Sequence, residues 1–190
     1  QLVQTFKEIR NMKVVGTFLL AYFFYIDGVD TIIKMAVDYG MSLNFSGESL
    51  IIALLIVQFV AFPAALIYGR LGVKIGAKKA IMLGIIAYSV ITFLGYFITK
   101  VWHFYVLAIL IGLFQGGIQA LSRSLYTRII PAEKSAEFFG FYNMLGKFAA
   151  IIGPTLMGTI SLVTGSARLG ILSILLLFIL GAFLLNKVDL

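Results

Sequence analysis

The sequence predicts an all-α membrane protein of six transmembrane helices. Three observations carry this expectation. Hydrophobic residues fill 61% of the 190 positions and charged residues only 12%, against roughly 45–50% and about 25% in an average soluble domain. The apolar residues fall into six continuous blocks, each near or above the about 20 residues that cross about 30 Å of hydrocarbon. Continuity argues against a membrane β-barrel, whose strands of about ten residues alternate in polarity. The basic residues are also unevenly distributed between the two sides that six spans would create.

Residues 1–13, QLVQTFKEIRNMK, are the only extended polar start. Leu2, Phe6 and Ile9 recur at helical spacing, with Lys7, Arg10 and Lys13 pointing elsewhere, which predicts a short amphipathic helix at the membrane interface or the end of a linker. Residues 14–190 then form the bundle, with spans at about 14–37, 49–69, 79–99, 102–124, 137–163 and 167–186. The divisions at 99–102 and 164–168 are tight, so the helices they join should be antiparallel neighbours. Gly28, Pro63, Gly153 and Pro154 lie inside the blocks, where transmembrane helices tolerate them. Gly28 could open the first helix locally, and Pro63 is expected to kink the second. The chain starts at Gln1 with no charged-then-apolar leader, and we read this as the end of a piece cut from a longer protein.

Orientation follows from the short loops. Of the 15 Lys and Arg residues, 11 fall on the side of the N-terminus, two (Lys100 and Arg168) on the opposite side, and two (Lys34 and Lys147) inside spans. The expected arrangement is a multi-pass protein of the cell membrane with both termini in the cytoplasm. The net charge of +7 then reports topology, and no nucleic-acid partner is expected. With no cysteine and a single histidine, His103, no thiolate site, disulfide, metal site or cofactor is expected. Neither HExxH nor a phosphate-cradling loop is present, and an enzyme is not expected. Trp102 and His103 suit the interfacial aromatic belt.

Charges at bilayer depth cost at least about 2.5–3.5 kcal/mol each on insertion, so they mark candidate function. The first span places Asp27, Asp30 and Lys34 on one face at i, i+3 and i+7. Either carboxyl could carry a coupling proton or touch a solute; alternatively Asp30 and Lys34 form an i, i+4 ion pair. The fourth span places Gln115 and Gln119 on one stripe, with Arg123 near its end, where a topological or gating role is expected. Gly116 and Gly117 allow close helix approach or a kink. The two amides could bind a solute or hydrogen-bond between helices. The fifth span carries Asn143 and Lys147, with Asp27 or Asp30 as the expected partner of Lys147, across a cavity or in a fixed salt bridge. Gly146, Ala150, Gly153 and Gly158 resemble a small-residue packing stripe. Gln58 is a weaker signal.

The stretch Gly69-Arg70-Leu71-Gly72-Val73-Lys74-Ile75-Gly76-Ala77-Lys78-Lys79 resembles the G-x-L-x-D-R-x-G-R-R/K loop signature of the major facilitator superfamily. Gly69, Leu71, Gly76, Lys78 and the basic Lys74 match. Val73 stands at the usual Asp position, so the charge-relay part is absent. That family carries the signature after its second helix and a weaker copy after its eighth. The degenerate copy implies that the first span here is the family's seventh. YFFYIDGVDTI and GGIQALSRSLYTRIIPAEKSAEFFGFYNMLGKFAAIIGPTL are similar to the vacuole-effluxer-like branch, related to autophagy-linked amino-acid exporters of fungal vacuoles.

The resemblance implies a major-facilitator-type half bundle with a 3+3 inverted repeat, for which no residue-level repeat is evident. It further implies the C-terminal half of a secondary active transporter that moves a small polar solute, amino acids among the candidates, by ion- or proton-coupled alternating access. Asp27, Asp30, Lys34, Gln115, Gln119, Asn143 and Lys147 would line the solute and coupling cavity. Gly69, Arg70, Leu71, Lys74, Gly76 and Lys78 would form a cytoplasmic gating loop. The expected partners are the lipid bilayer, a small-molecule solute, and an N-terminal six-helix half or, in its absence, a second copy. The alternatives are a non-transporting scaffold or sensor, and a half-size transporter acting as a homodimer.

Overall fold

A computed structural model describes residues 2–189, with the backbone alone for residues 2–6. All regular structure among these residues is helical: α1 (Leu2–Asn11), α2 (Lys13–Ser42), α3 (Gly47–Ile75), α4 (Ala77–Gly95), α5 (Val101–Ile129), α6 (Ser135–Thr164), α7 (Ala167–Ser173) and α8 (Leu175–Asn186). A 3-10 turn, Ala132–Lys134, leads into α6. Among the described residues, six helical segments are long and apolar enough to cross a membrane: α2, α3, α4, α5, the 3-10 turn with α6, and α7 with α8. The last is one span interrupted at Ile174, where the chain tightens into i→i+3 bonds, Ile174 N–H to Ile171 O and Leu177 N–H to Ile174 O.

The N-terminal segment, expected as an amphipathic helix or a linker end, is helical as α1, which packs on α2 and α6. Ile9 is buried and Glu8 pairs with Lys134 at 2.7 Å. The side chains of Leu2 and Phe6 lie outside the described residues.

Two expectations about the backbone are corrected. Gly28 does not open α2, which is continuous from Lys13 to Ser42. Its missing side chain admits the Phe178 ring of α8 instead: a Cβ there would lie 2.7 Å from the ring. The predicted gating loop is not a loop over most of its length. The α3 helix runs through Gly69, Arg70, Leu71 and Lys74 to Ile75, and only Gly76, at φ 90°, breaks it before α4 begins at Ala77. A helix need not stop where the hydrocarbon does. Gly72 packs against Leu121 while Arg70, Val73 and Lys74 are exposed, so one face is held by α5 and the other is solvated. The Tyr68 hydroxyl donates to the Ala80 carbonyl at 2.6 Å across the turn, and the Lys78 amine donates to the carbonyls of Asn186, the last residue of α8, and of Val188 beyond it, at 3.0 and 2.6 Å. Such a cation neutralises the exposed carbonyls of a helix end.

The remaining turns follow their local chemistry. Ser46 caps α3 by accepting from Ser49 N–H at 3.3 Å. The end of α6 has Gly165 in the left-handed region, as helix C-termini favour, and Ser166 caps α7.

The packing has an internal symmetry. Exchanging α2, α3 and α4 with α5, α6 and α7–α8 maps the α3–α5 contact onto α6–α2. It also maps α2–α8 onto α5–α4, and α3–α4 onto α6–α7, and all of these pairs touch. Three spans per unit means the second unit has the opposite orientation in the membrane, which is the 3+3 inverted arrangement. Close approach of α3 and α5 depends on glycine: a Cβ at Gly112 would lie 2.9 Å from the Val57 carbonyl oxygen, and one at Gly116 2.9 Å from the Ala65 methyl. Gly117 admits the Tyr68 ring.

Candidate functional site

Side chains four residues apart on α2 form a stripe, Tyr22, Ile26, Asp30 and Lys34. Together with Gln119 and Arg123 of α5 and Tyr142, Asn143, Gly146, Lys147 and Ala150 of α6, they surround an open cavity of about 500 Å³. Each helix contributes its polar face because its other face is occupied by apolar packing. On α2, Tyr25 and Gly28 meet α8 at Gly181 and Phe178. On α5, Gly112, Gly116 and Gly117 receive α3.

The cavity floor nearest the N-terminal side is aromatic. Tyr22 and Tyr142 stack at 4.0 Å between ring centroids, Tyr142 stacks on Tyr126 at 4.9 Å, and Phe18 stacks on Tyr126 at 5.9 Å. Tyr25, one turn further along α2 than Tyr22, shares a 2.6 Å hydrogen bond with the Ser122 hydroxyl of α5. These contacts tie α2, α5 and α6 together at the cavity.

The charged residues do not pair. Among the described residues no ion pair joins Asp30 to Lys34, or Lys147 to Asp27 or Asp30. Neither the i, i+4 pair nor the fixed interhelical bridge is present. Lys34, Arg123 and Lys147 are exposed and Asp30 is half-buried, all four facing the cavity.

Five of the seven expected cavity residues converge here: Asp30, Lys34, Gln119, Asn143 and Lys147. Two do not. Asp27 is fully buried and turned toward α6, where its Oδ1 accepts from Gly153 N–H at 2.9 Å and from the Thr31 hydroxyl at 3.4 Å. Its Oδ2 has no hydrogen-bond partner. The step of three residues from Asp27 to Asp30 turns the side chain by about 60° around the axis, enough to move it from the cavity wall into the α2–α6 seam. Gln115 lies one turn from Gln119 on α5, outside the cavity lining, and its Oε1 is buried without a partner. Neither amide of the stripe makes an interhelical hydrogen bond among the described residues.

The expected packing stripe of α6 is divided. Gly153 meets Asp27 and Thr31, and Gly146 sits beside the Tyr22 hydroxyl, but Gly158 faces open space. Gln58, expected to be a weak hydrogen-bonding site, is exposed.

The cavity also contains residues that sequence reasoning did not place there. Tyr22 was legible, because it lies eight residues before Asp30 on the same stripe. Arg123 follows Gln119 by four residues and faces inward, where a position near the helix end suggested a topological role. Tyr142 adjoins Asn143 and had no separate signal.

The profile of the family described as "Vacuole effluxer Atg22 like" matches residues 1–190. The chain is 43% identical over 185 residues to the "Uncharacterized MFS-type transporter YxiO" of Bacillus subtilis (strain 168), covering 97% of this chain and 43% of that protein. It is 32% identical over 203 residues to Autophagy-related protein 22 of Yarrowia lipolytica, covering 99% of this chain and 34% of that protein. The match to Autophagy-related protein 22 of Saccharomyces cerevisiae (strain ATCC 204508 / S288c) is 32% over 200 residues, 99% of this chain and 38% of that protein. The chain thus spans less than half the length of these relatives. This multi-pass membrane chain belongs to the vacuole effluxer Atg22-like family, among transporters of the major facilitator type.

Proposed function

We propose that this chain is the C-terminal half of a secondary active transporter. It moves a small polar solute by alternating access, coupled to an ion or proton gradient. The observation that carries the reading is the cavity: about 500 Å³ bounded by Asp30, Lys34, Gln119, Arg123, Asn143 and Lys147. A wall with three basic side chains cannot face hydrocarbon, because each charge at depth costs several kcal/mol. It needs water and a second polar surface opposite. An N-terminal six-helix half supplies that surface, and the two bundles rock about the solute between them.

The exposure of the spans supports the same partner. Only 17% of the most apolar window is buried in α3 and in the span that includes α6, against 61% in α2. The α6 span forms part of the cavity wall and α3 packs on α5 beside it, so both are available to meet the other half.

The roles separate with the geometry. Asp30, on the cavity wall beside Lys34, is the candidate proton carrier or solute contact. Asp27, hydrogen-bonded to Gly153, holds α2 to α6. The turn at Gly76, with Arg70 and Lys74 on the exposed end of α3, meets the N-terminal half on the side that closes. The asymmetry of 11 against two basic residues supports an orientation with both termini in the cytoplasm, and the proposed location is the cell membrane.

The test is gradient-driven flux by the complete protein in proteoliposomes. Asp30→Asn should abolish pH-gradient-driven uptake and leave counterflow exchange. Unchanged gradient-driven uptake would remove proton coupling through Asp30. If Asp30→Asn and Lys147→Gln alter stability and never flux, the bundle is a scaffold or sensor. Transport by the isolated 190 residues as a monodisperse monomer would remove the need for a second half, and transport only as a dimer would support the homodimer.

A further inference from the structure

We infer that the solute carries a net negative charge: a small organic anion with at least one carboxylate that its own cationic groups do not balance. The inference rests on the transporter reading and names the chemistry of its cargo.

The first observation is the charge count on the wall. Lys34, Arg123 and Lys147 face the cavity against one carboxylate, Asp30. The second carboxylate of the region, Asp27, is not part of the lining and is engaged by Gly153 N–H and Thr31. An excess of two positive charges in a cleft with low-dielectric walls focuses a positive potential and concentrates anions there.

The second observation is that none of the three cations has a side-chain partner among the described residues. Among the described residues no side-chain hydrogen bond or ion pair involves Lys34, Arg123 or Lys147. Each retains its full set of donors for a ligand.

The third is their arrangement in depth. Counted from Ile129, Ser135 and Lys13 at 1.5 Å per residue, Arg123 lies about 9 Å, Lys147 about 18 Å and Lys34 about 31 Å from the N-terminal side. Three different helices thus supply a ladder of cations whose steps are about 9 and 13 Å along the axis. A carboxylate moving along the cleft passes from one cation to the next. Gln119 and Asn143 lie between the first two rungs, where their amides can donate to a second carboxylate oxygen. Asp30, about 25 Å deep by the same count, stands between Lys147 and Lys34, where it can take an ammonium or a proton. A charge ladder of this kind fits glutamate or a dicarboxylate better than a neutral zwitterion, which would leave two cations uncompensated.

The experiment uses the complete transporter, both in proteoliposomes and in detergent. Uptake of radiolabelled glutamate, succinate, leucine, lysine and inorganic phosphate is compared, and succinate is tested for thermal stabilisation. The expected result is uptake of glutamate or succinate, cross-competition between them, and weakening by raised ionic strength. Lys147→Gln should raise the half-saturating anion concentration at least tenfold, and Lys147→Arg should restore it. Lys34→Gln provides a second reading should Lys147→Gln fail to fold. Leucine or lysine moved while glutamate and succinate neither move nor compete overturns the anion assignment and leaves the transporter intact; the cations would then pair with acids of the other half. Phosphate moved without either carboxylate overturns the carboxylate. Stabilisation by succinate with no flux of any solute supports the anion site and sinks the transport reading instead. No stabilisation and no flux overturns both.

Discussion

Asp27→Ala is the perturbation that separates a structural carboxylate from a coupling one. Asp27 Oδ1 accepts two hydrogen bonds in the seam between α2 and α6, from Gly153 N–H at 2.9 Å and Thr31 Oγ1 at 3.4 Å. Alanine removes both. The longer Thr31 bond is within one helix and contributes little, since the hydroxyl can turn to a backbone carbonyl. The Gly153 N–H bond is more consequential because it joins two helices, and a typical protein hydrogen bond contributes about 0.5–1.5 kcal/mol net. Interhelical bonds in membrane proteins average less, about 0.6 kcal/mol and at most about 1.7. The void adds to this, so the expected loss is about 1–3 kcal/mol, roughly a fivefold to hundredfold change in the folding equilibrium. Asp27→Asn keeps an acceptor in place of Oδ1, and its amide replaces Oδ2, which has no partner. It should stay within about 1 kcal/mol of the parent. The assay is equilibrium unfolding of the complete protein in mixed detergent micelles, with flux measured on the same preparations. Asp27→Ala as stable as the parent would refute the seam. Asp27→Asn with full stability and no gradient-driven uptake would move the coupling role from Asp30 back to Asp27.

Three other outcomes are expected. Gly117→Ala drives a Cβ into the Tyr68 ring and should cost about 1–3 kcal/mol. Gly158→Ala meets nothing within 4 Å and should be neutral or stabilising by up to about 1 kcal/mol; unfolding midpoints compare the two. A double-mutant cycle of Tyr25→Phe and Ser122→Ala, which share a 2.6 Å hydrogen bond, should give a coupling of about 0.6 kcal/mol, with about 1.7 as the upper bound. The chain contains no cysteine, so single cysteines report topology directly. Lys134→Cys should react with an impermeant maleimide only from the cytoplasmic face, and Ser46→Cys only from the other; the reverse pattern would invert the orientation.

The sequence by itself determined the six spans, their order and their charge asymmetry. It did so because a bilayer demands about 20 apolar residues per crossing whatever the neighbours do. The stripe of Asp30 and Lys34, and the pairs Gln119 with Arg123 and Asn143 with Lys147, were legible because four residues make nearly one helical turn. Depth and spacing do not fix which helix face meets which neighbour, and there the reading diverged. Asp27 shares the polar arc of α2, yet α6 approaches close enough through Gly153 to claim it. Gln115 lies one turn from Gln119, yet sits outside the cavity. Arg123 counts as a loop charge by position, yet α5 turns it inward. The helical course of residues 69–75 was also hidden, because loss of hydropathy marks the membrane boundary and not the end of a helix; Leu121 against Gly72 holds that turn. Only the tertiary structure decided these points, because they depend on the rotation and close approach of helices, set by which glycines lie opposite which large side chains.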